Sequence, residues 1–156
     1  PAPRTTTHTD THHHVREFTP MDHEALTREM RSLREQVTGV TDTAVAAADG
    51  LLIAADTAGT IEPEGLAAIA AAGLGLARRT AEATGRGTLR QTVTHGSHGC
   101  AAFYAVGETA LLVVLGDEGI DVDQLHETTR PALARIDSIL TAPEAGYEPA
   151  PAARAV

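Results

Sequence analysis

The stretch from Thr88 to Gly116 constrains the fold of this chain more than any other. It holds three strand-length segments, at 88–94, 100–106 and 109–116, broken first by Gly96 and Gly99 and then by Gly107-Glu108. Such short breaks make a meander, because a parallel return needs a crossover of about a dozen residues or more. The segments differ in polarity. The first alternates Leu89, Gln91 and Val93 against Arg90, Thr92 and Thr94, a half-apolar pattern that suits a sheet edge. The second is more apolar. The third, "TALLVVLG", is apolar on both faces and belongs in the middle of a sheet with helices on either side.

A hairpin precedes the meander. Asp49-Gly50 sits between two apolar runs and marks a tight turn, since such pairs tolerate positive φ, which places strands at 42–48 and 51–55. Alanine is a poor strand former, so 44–48 depends on its context. Three helices complete the pattern. Leu26, Met30, Leu33 and Val37 make one apolar stripe over 22–38, with Asp22 as cap and Gly39 as stop. A second helix spans 62–84, where Leu66, Ile69, Ala70, Gly73, Leu74, Ala77 and Ala81 form a smooth stripe. Gly73 and Gly75 lower its helix propensity by about 1 kcal/mol each. Either close packing on the sheet or close approach of a symmetry-related helix accounts for them. The last helix lies within 121–140 and must absorb Pro131, by a kink near Thr128 or a fresh start at Thr129–Arg130; the kink is the favoured reading. The sum is an α/β, three-layer fold. A five-stranded, mostly antiparallel sheet has the middle helix on one face and the terminal helices on the other.

The 156 residues suit one domain at 20–141 between two tails, 1–19 and 142–156, both polar and without sustained period. Aromatics are 3% and there is no Trp, so the core is built from Ala, Leu, Val and Ile. A formal net charge of -9 speaks against a phosphate backbone as partner, hence no nucleic acid. Cys100 is the single cysteine, which leaves no internal disulfide and fits a cytoplasmic chain. "TALLVVLG" is far shorter than the roughly 20 apolar residues of a spanning helix.

Catalytic constellations are not evident. "GLLIAADTAG" and "ATGRGTL" lack the lysine and spacing of a phosphate-binding loop. Cys100 with His95 and His98 offers a thiol and imidazoles but no third orienting group, and a buried structural cysteine is the simpler reading. Asp22-His23 and His126-Glu127 are adjacent pairs that do not converge on a helix. Asp121 and Asp123 read as helix-start charges, and His12, His13 and His14 do not make a defined metal site. The expectation is a non-enzyme with no cofactor and no metal.

The order of elements, with "GVTDTAVAAADGLLIAAD" and "GTLRQTVTHGSHGCAAFYAVGETALLVVLGDEGID", resembles the Roadblock/LC7 family over about residues 24–140. The likeness is nearest to roadblock-type proteins encoded beside small GTPases in actinobacterial conservon operons. The family hairpin matches Ala44–Asp56, its middle helix about Glu64–Thr84 and its third strand Leu89–Thr94. The resemblance implies a profilin-like fold and a homodimer, with the third strand paired to its twin and the middle helices side by side. It thereby assigns Leu89, Arg90, Gln91, Thr92, Val93 and Thr94, with Leu66, Ala70, Gly73 and Ala77, to the dimer interface. It also implies a role regulating or scaffolding a small Ras-like GTPase, with a sensor histidine kinase complex as a further partner, and membrane association only through a partner. It supplies no fixed catalytic residue and no arginine finger. A small-molecule-sensing domain is the alternative. Thr92→Pro is expected to break dimerisation, with Gln91→Pro measured beside it in case the Thr92 amide faces inward.

Overall fold

The computed structural model describes residues 22–142. Apart from Ala142, the two tails assigned above lie outside the described residues. The elements are α1 (His23–Gln36), β1 (Val40–Ala47), β2 (Leu52–Asp56), α2 (Pro63–Ala83), β3 (Gln91–Gly96), β4 (Gly99–Val106), β5 (Ala110–Gly116) and α3 (Val122–Thr141). The strands form one sheet in the order β2-β1-β5-β4-β3, and every neighbouring pair is antiparallel.

Strand alternation sorts the core into two layers. Ala102, Tyr104 and Val106 on β4, with Ala110, Leu112 and Val114 on β5, meet Leu26, Met30 and Leu33 of α1 and Leu125 and Ile136 of α3. The intervening residues Phe103, Leu111 and Val113 join Ala44 and Ala46 of β1 beneath Ala67, Ala70 and Leu74 of α2. β5 is buried along most of its length, as its two-sided apolar pattern requires. The alanines of β1 are the context that makes it a strand: with no bulk on that face, α2 lies close to the sheet.

The turns follow the local chemistry. Gly50 takes φ 93°, and the Asp49 carboxylate accepts the Leu51 amide at 3.1 Å. A side chain at Gly50 would also stand 3.2 Å from the Ala68 Cα, so the turn is tied to α2. The Asp22 and Asp121 side chains accept from Ala25 and Gln124 and open α1 and α3.

Two expectations need correction. β3 begins at Gln91 and runs to Gly96, three residues later than the reading from sequence. Positive φ at Gly85 and Gly87 turns the chain out of α2, and Leu89 packs into the α2 layer before the ladder starts. The second concerns Pro131. Of the two readings given above, the fresh start at Thr129–Arg130 falls, because α3 runs from Val122 to Thr141 as one helix with Pro131 inside it. Pro131 and Glu127 are both exposed, so the carbonyl that loses its helical donor lies on the solvent side.

Candidate protein-interaction surface

Among the described residues, the β3 edge pairs only with β4. Its outward groups can be assigned from one bond. The Ala105 amide donates to the Arg90 carbonyl at 3.0 Å, and the two stand opposite each other in a register that continues Gln91 to Tyr104 and Thr92 to Phe103. Opposite residues exchange hydrogen bonds only at alternate positions of an antiparallel ladder. The amides of Thr92 and Thr94 therefore face β4, and those of Gln91, Val93 and His95 face the free edge. The Thr92→Pro expectation is corrected accordingly: that proline would strike the ladder inside the sheet.

α2 presents the second part of the surface. Ala70 is fully buried on the sheet, and Leu66 packs against the same layer. Gly73 is where the Phe103 ring comes closest, since a Cβ there would lie 2.9 Å from it. Of the two readings of that glycine, close packing on the sheet has a visible cause. Ala70 has no surface left to offer a second chain, while Ala77 keeps part of its own. The solvent side of α2 is apolar instead: Ile69 is 66% and Leu76 68% exposed, seven residues apart on one face with exposed Ala72 between them. Leu51, 70% exposed, sits at the hairpin turn that abuts Ala68. The stripe read from sequence joined Ile69 to Ala70 and Leu74; the structure buries Ala70 and Leu74 on the sheet and leaves Ile69 exposed. A helix apolar on every side was the available signal, since such a helix is covered on more than one face.

The candidate chemical groups do not assemble into a reactive site. His95 stands opposite Cys100 in the ladder, but His98 bonds Glu118 at 2.9 Å. Burial pushes the Cys100 thiol up, against a smaller lowering by the Gly116 backbone, which keeps it from being a ready nucleophile. Among the described residues, no group of three or more His, Cys, Asp or Glu side chains is placed to hold a metal ion. Asp22 and Asp121 act as caps.

One pairing was missed altogether. The Tyr104 hydroxyl and His126 Nδ1 lie 2.7 Å apart, with the rings edge-on and their centroids 5.6 Å apart. Twenty-two residues separate them in the chain, and only the packing of α3 on β4 brings them together. Burial pushes the Tyr104 hydroxyl up to about 12, although the neighbouring Thr129 hydroxyl acts in the opposite sense.

The sequence pattern of the Roadblock/LC7 domain matches residues 26–116, which run from α1 to the end of β5. This chain belongs to the Roadblock/LC7 domain family. An uncharacterised protein of Methanocaldococcus jannaschii is 36% identical over 101 residues, covering 65% of this chain and 88% of the relative. Among solved structures, a Roadblock/LC7 domain from Streptomyces avermitilis superposes with a TM-score of 0.68 at 21% identity, covering 72% of this chain and 95% of that one. Myxococcus xanthus MglB gives 0.71 at 16% identity, covering 78% and 91%. These two likenesses speak for the fold. In this roadblock domain α3, with Pro131 and His126, lies beyond the matched segment.

Proposed function

We propose that this roadblock domain is a non-catalytic interaction module that forms a homodimer and regulates or scaffolds a small Ras-like GTPase. The observation that carries the self-association is the pairing of a free β3 edge with an apolar outer face on α2 in the same chain. The edge supplies amides and carbonyls for a twin strand, and Ile69 and Leu76 supply apolar area beside it. The proposed GTPase partner draws support from the family, and the reading extends to kinship with conservon-type proteins and to a signalling complex that includes a sensor histidine kinase. In this reading the protein works in the cytoplasm and reaches a membrane only through a partner.

The test has two stages. Sedimentation equilibrium gives the mass in solution, and a monomer at every concentration rejects the dimer. Pull-down with the GTPase encoded nearest the gene, loaded with GDP and then with a GTP analogue, is read together with hydrolysis rates. Binding without a change in rate identifies a scaffold, and faster hydrolysis identifies an activator. Absence of binding in both nucleotide states rejects the GTPase role.

A further inference from the structure

Where β4, the segment leading into β3 and α3 meet, the chain forms a half-open cavity of about 540 Å³. Arg90, Gln91, Tyr104, His126 and Arg130 line it, with Leu89 and Leu133 as apolar wall. Its titratable lining contains two guanidiniums, an imidazole and a phenol, and no carboxylate. That is notable in a chain whose formal net charge is -9. Acidic side chains outnumber basic ones across the molecule, yet none faces this space. Among the described residues, neither Arg90 nor Arg130 takes part in an ion pair, whereas Arg34 and Arg135 both do.

The imidazole is oriented from below. The Tyr104 hydroxyl lies 2.7 Å from His126 Nδ1, and this contact holds the ring in place at the cavity wall. The cavity thus collects guanidinium, imidazole and amide donors beside leucine side chains. Its volume is in the ordinary range for a small-molecule site.

We infer that this cavity binds a small oxyanion carrying a compact apolar body, with Arg90 and Arg130 pairing the carboxylate or phosphate head, His126 Nε2 adding a hydrogen bond, and Leu89 and Leu133 covering the body. Guanidinium matches both head groups, because its planar fork meets two oxygens at once. The site is built within one chain and does not rest on the dimer or on a GTPase. Arg90 and Gln91 also stand where the free edge begins, so the ligand would sit at the rim of the self-association surface.

The experiment is an amide NMR titration of the full chain at fixed ionic strength with phenyl phosphate, benzoate, inorganic phosphate and phenol. Phenyl phosphate or benzoate should shift the amides of Gln91, Tyr104 and His126 saturably, and the tighter of the two identifies the head group. Inorganic phosphate and phenol, each lacking one half of the ligand, should bind more weakly. Arg90→Gln and Arg130→Gln should each weaken binding about tenfold, the loss expected for one charge-assisted contact. Both positions are exposed, and unchanged spectra away from the cavity will report intact folding. Arg79→Gln, on exposed α2 outside the cavity, should bind as the parent does. Tyr104→Phe should weaken binding, because it removes the hydroxyl that holds the His126 ring. No saturable shift with either aromatic anion overturns the inference. So does an equal loss in the Arg79 variant, which would show general charge attraction only.

Discussion

Among the described residues the sheet ends in two edge strands, and they are finished differently. β2 is half-buried at every residue, α1 packs against it, and Arg34 of that helix holds Asp56 at 3.2 Å. β3 has four of its six residues exposed and contains no Lys, Pro or carboxylate. Proteins blunt an idle edge with charge, proline, a bulge or a cover. Among the described residues, both α1 and α2 pack on β2, while β3 is packed less, by α2, and carries no charge or proline. Within the described residues one edge is the better covered, and the other is the more open, as the proposed self-association requires.

The sharpest way to break this contrast is Val93→Pro. It removes an outward amide and should raise the dimer dissociation constant by at least about a hundredfold while the monomer stays folded. Thr92→Pro should do something else, costing about 1–3 kcal/mol of fold stability because it interrupts the β3–β4 ladder. Sedimentation and urea melts of the two variants separate these effects, and a Val93→Pro protein that remains dimeric would remove β3 from the interface. Next in size, Ile69→Asp combined with Leu76→Asp should weaken self-association roughly tenfold to a hundredfold with little loss of thermal stability.

Alkaline pH probes the β3 side through Tyr104, which stands opposite Gln91 in the register. The Tyr104 hydroxyl goes from 10.0 to about 12 on folding, so above pH 10 the unfolded chain releases a proton that the folded chain keeps. Stability is therefore full below pH 10 and falls between 10 and 12, and denaturant melts of Tyr104→Phe should lack that contribution. Gly73→Ala should cost about 1 kcal/mol in urea: the clash with Phe103 outweighs the gain in helix propensity, and Phe103→Leu should recover most of it. The smallest effect belongs to the closed edge. Arg34→Ala should cost about 0.5–1 kcal/mol without changing the mass in solution, because the pair is partly solvated and only the cover of β2 is loosened.

Much of the architecture was legible because it rests on local rules. Asp49-Gly50, the glycines flanking β4 and the two-sided apolar run of β5 each have one favoured conformation, and together they dictate the antiparallel order. The apolar stripe of α1 and its Asp22 cap are of the same kind. What stayed hidden depends on placement in three dimensions. Ala70 and Ile69 are adjacent apolar residues, and only the direction from which the sheet approaches α2 decides which is covered. The inward amide of Thr92 follows from the register with β4. Pro131 looked costly because its solvent-facing position is a property of how α3 docks. His126 read as half of an idle pair with Glu127, since its actual partner lies on another element.

The parity of the β3 ladder has a consequence for any strand that joins it. Outward amides recur at Gln91, Val93 and His95, so a newcomer finds docking positions only at every second residue, about 7 Å apart along the strand. Slippage by a single residue is forbidden to it, because that would bring the amides of Thr92 and Thr94 to an edge from which they point away. The set of possible twin arrangements is thereby small and discrete, and each differs from the next by a whole step in the mass-centre offset of the two sheets.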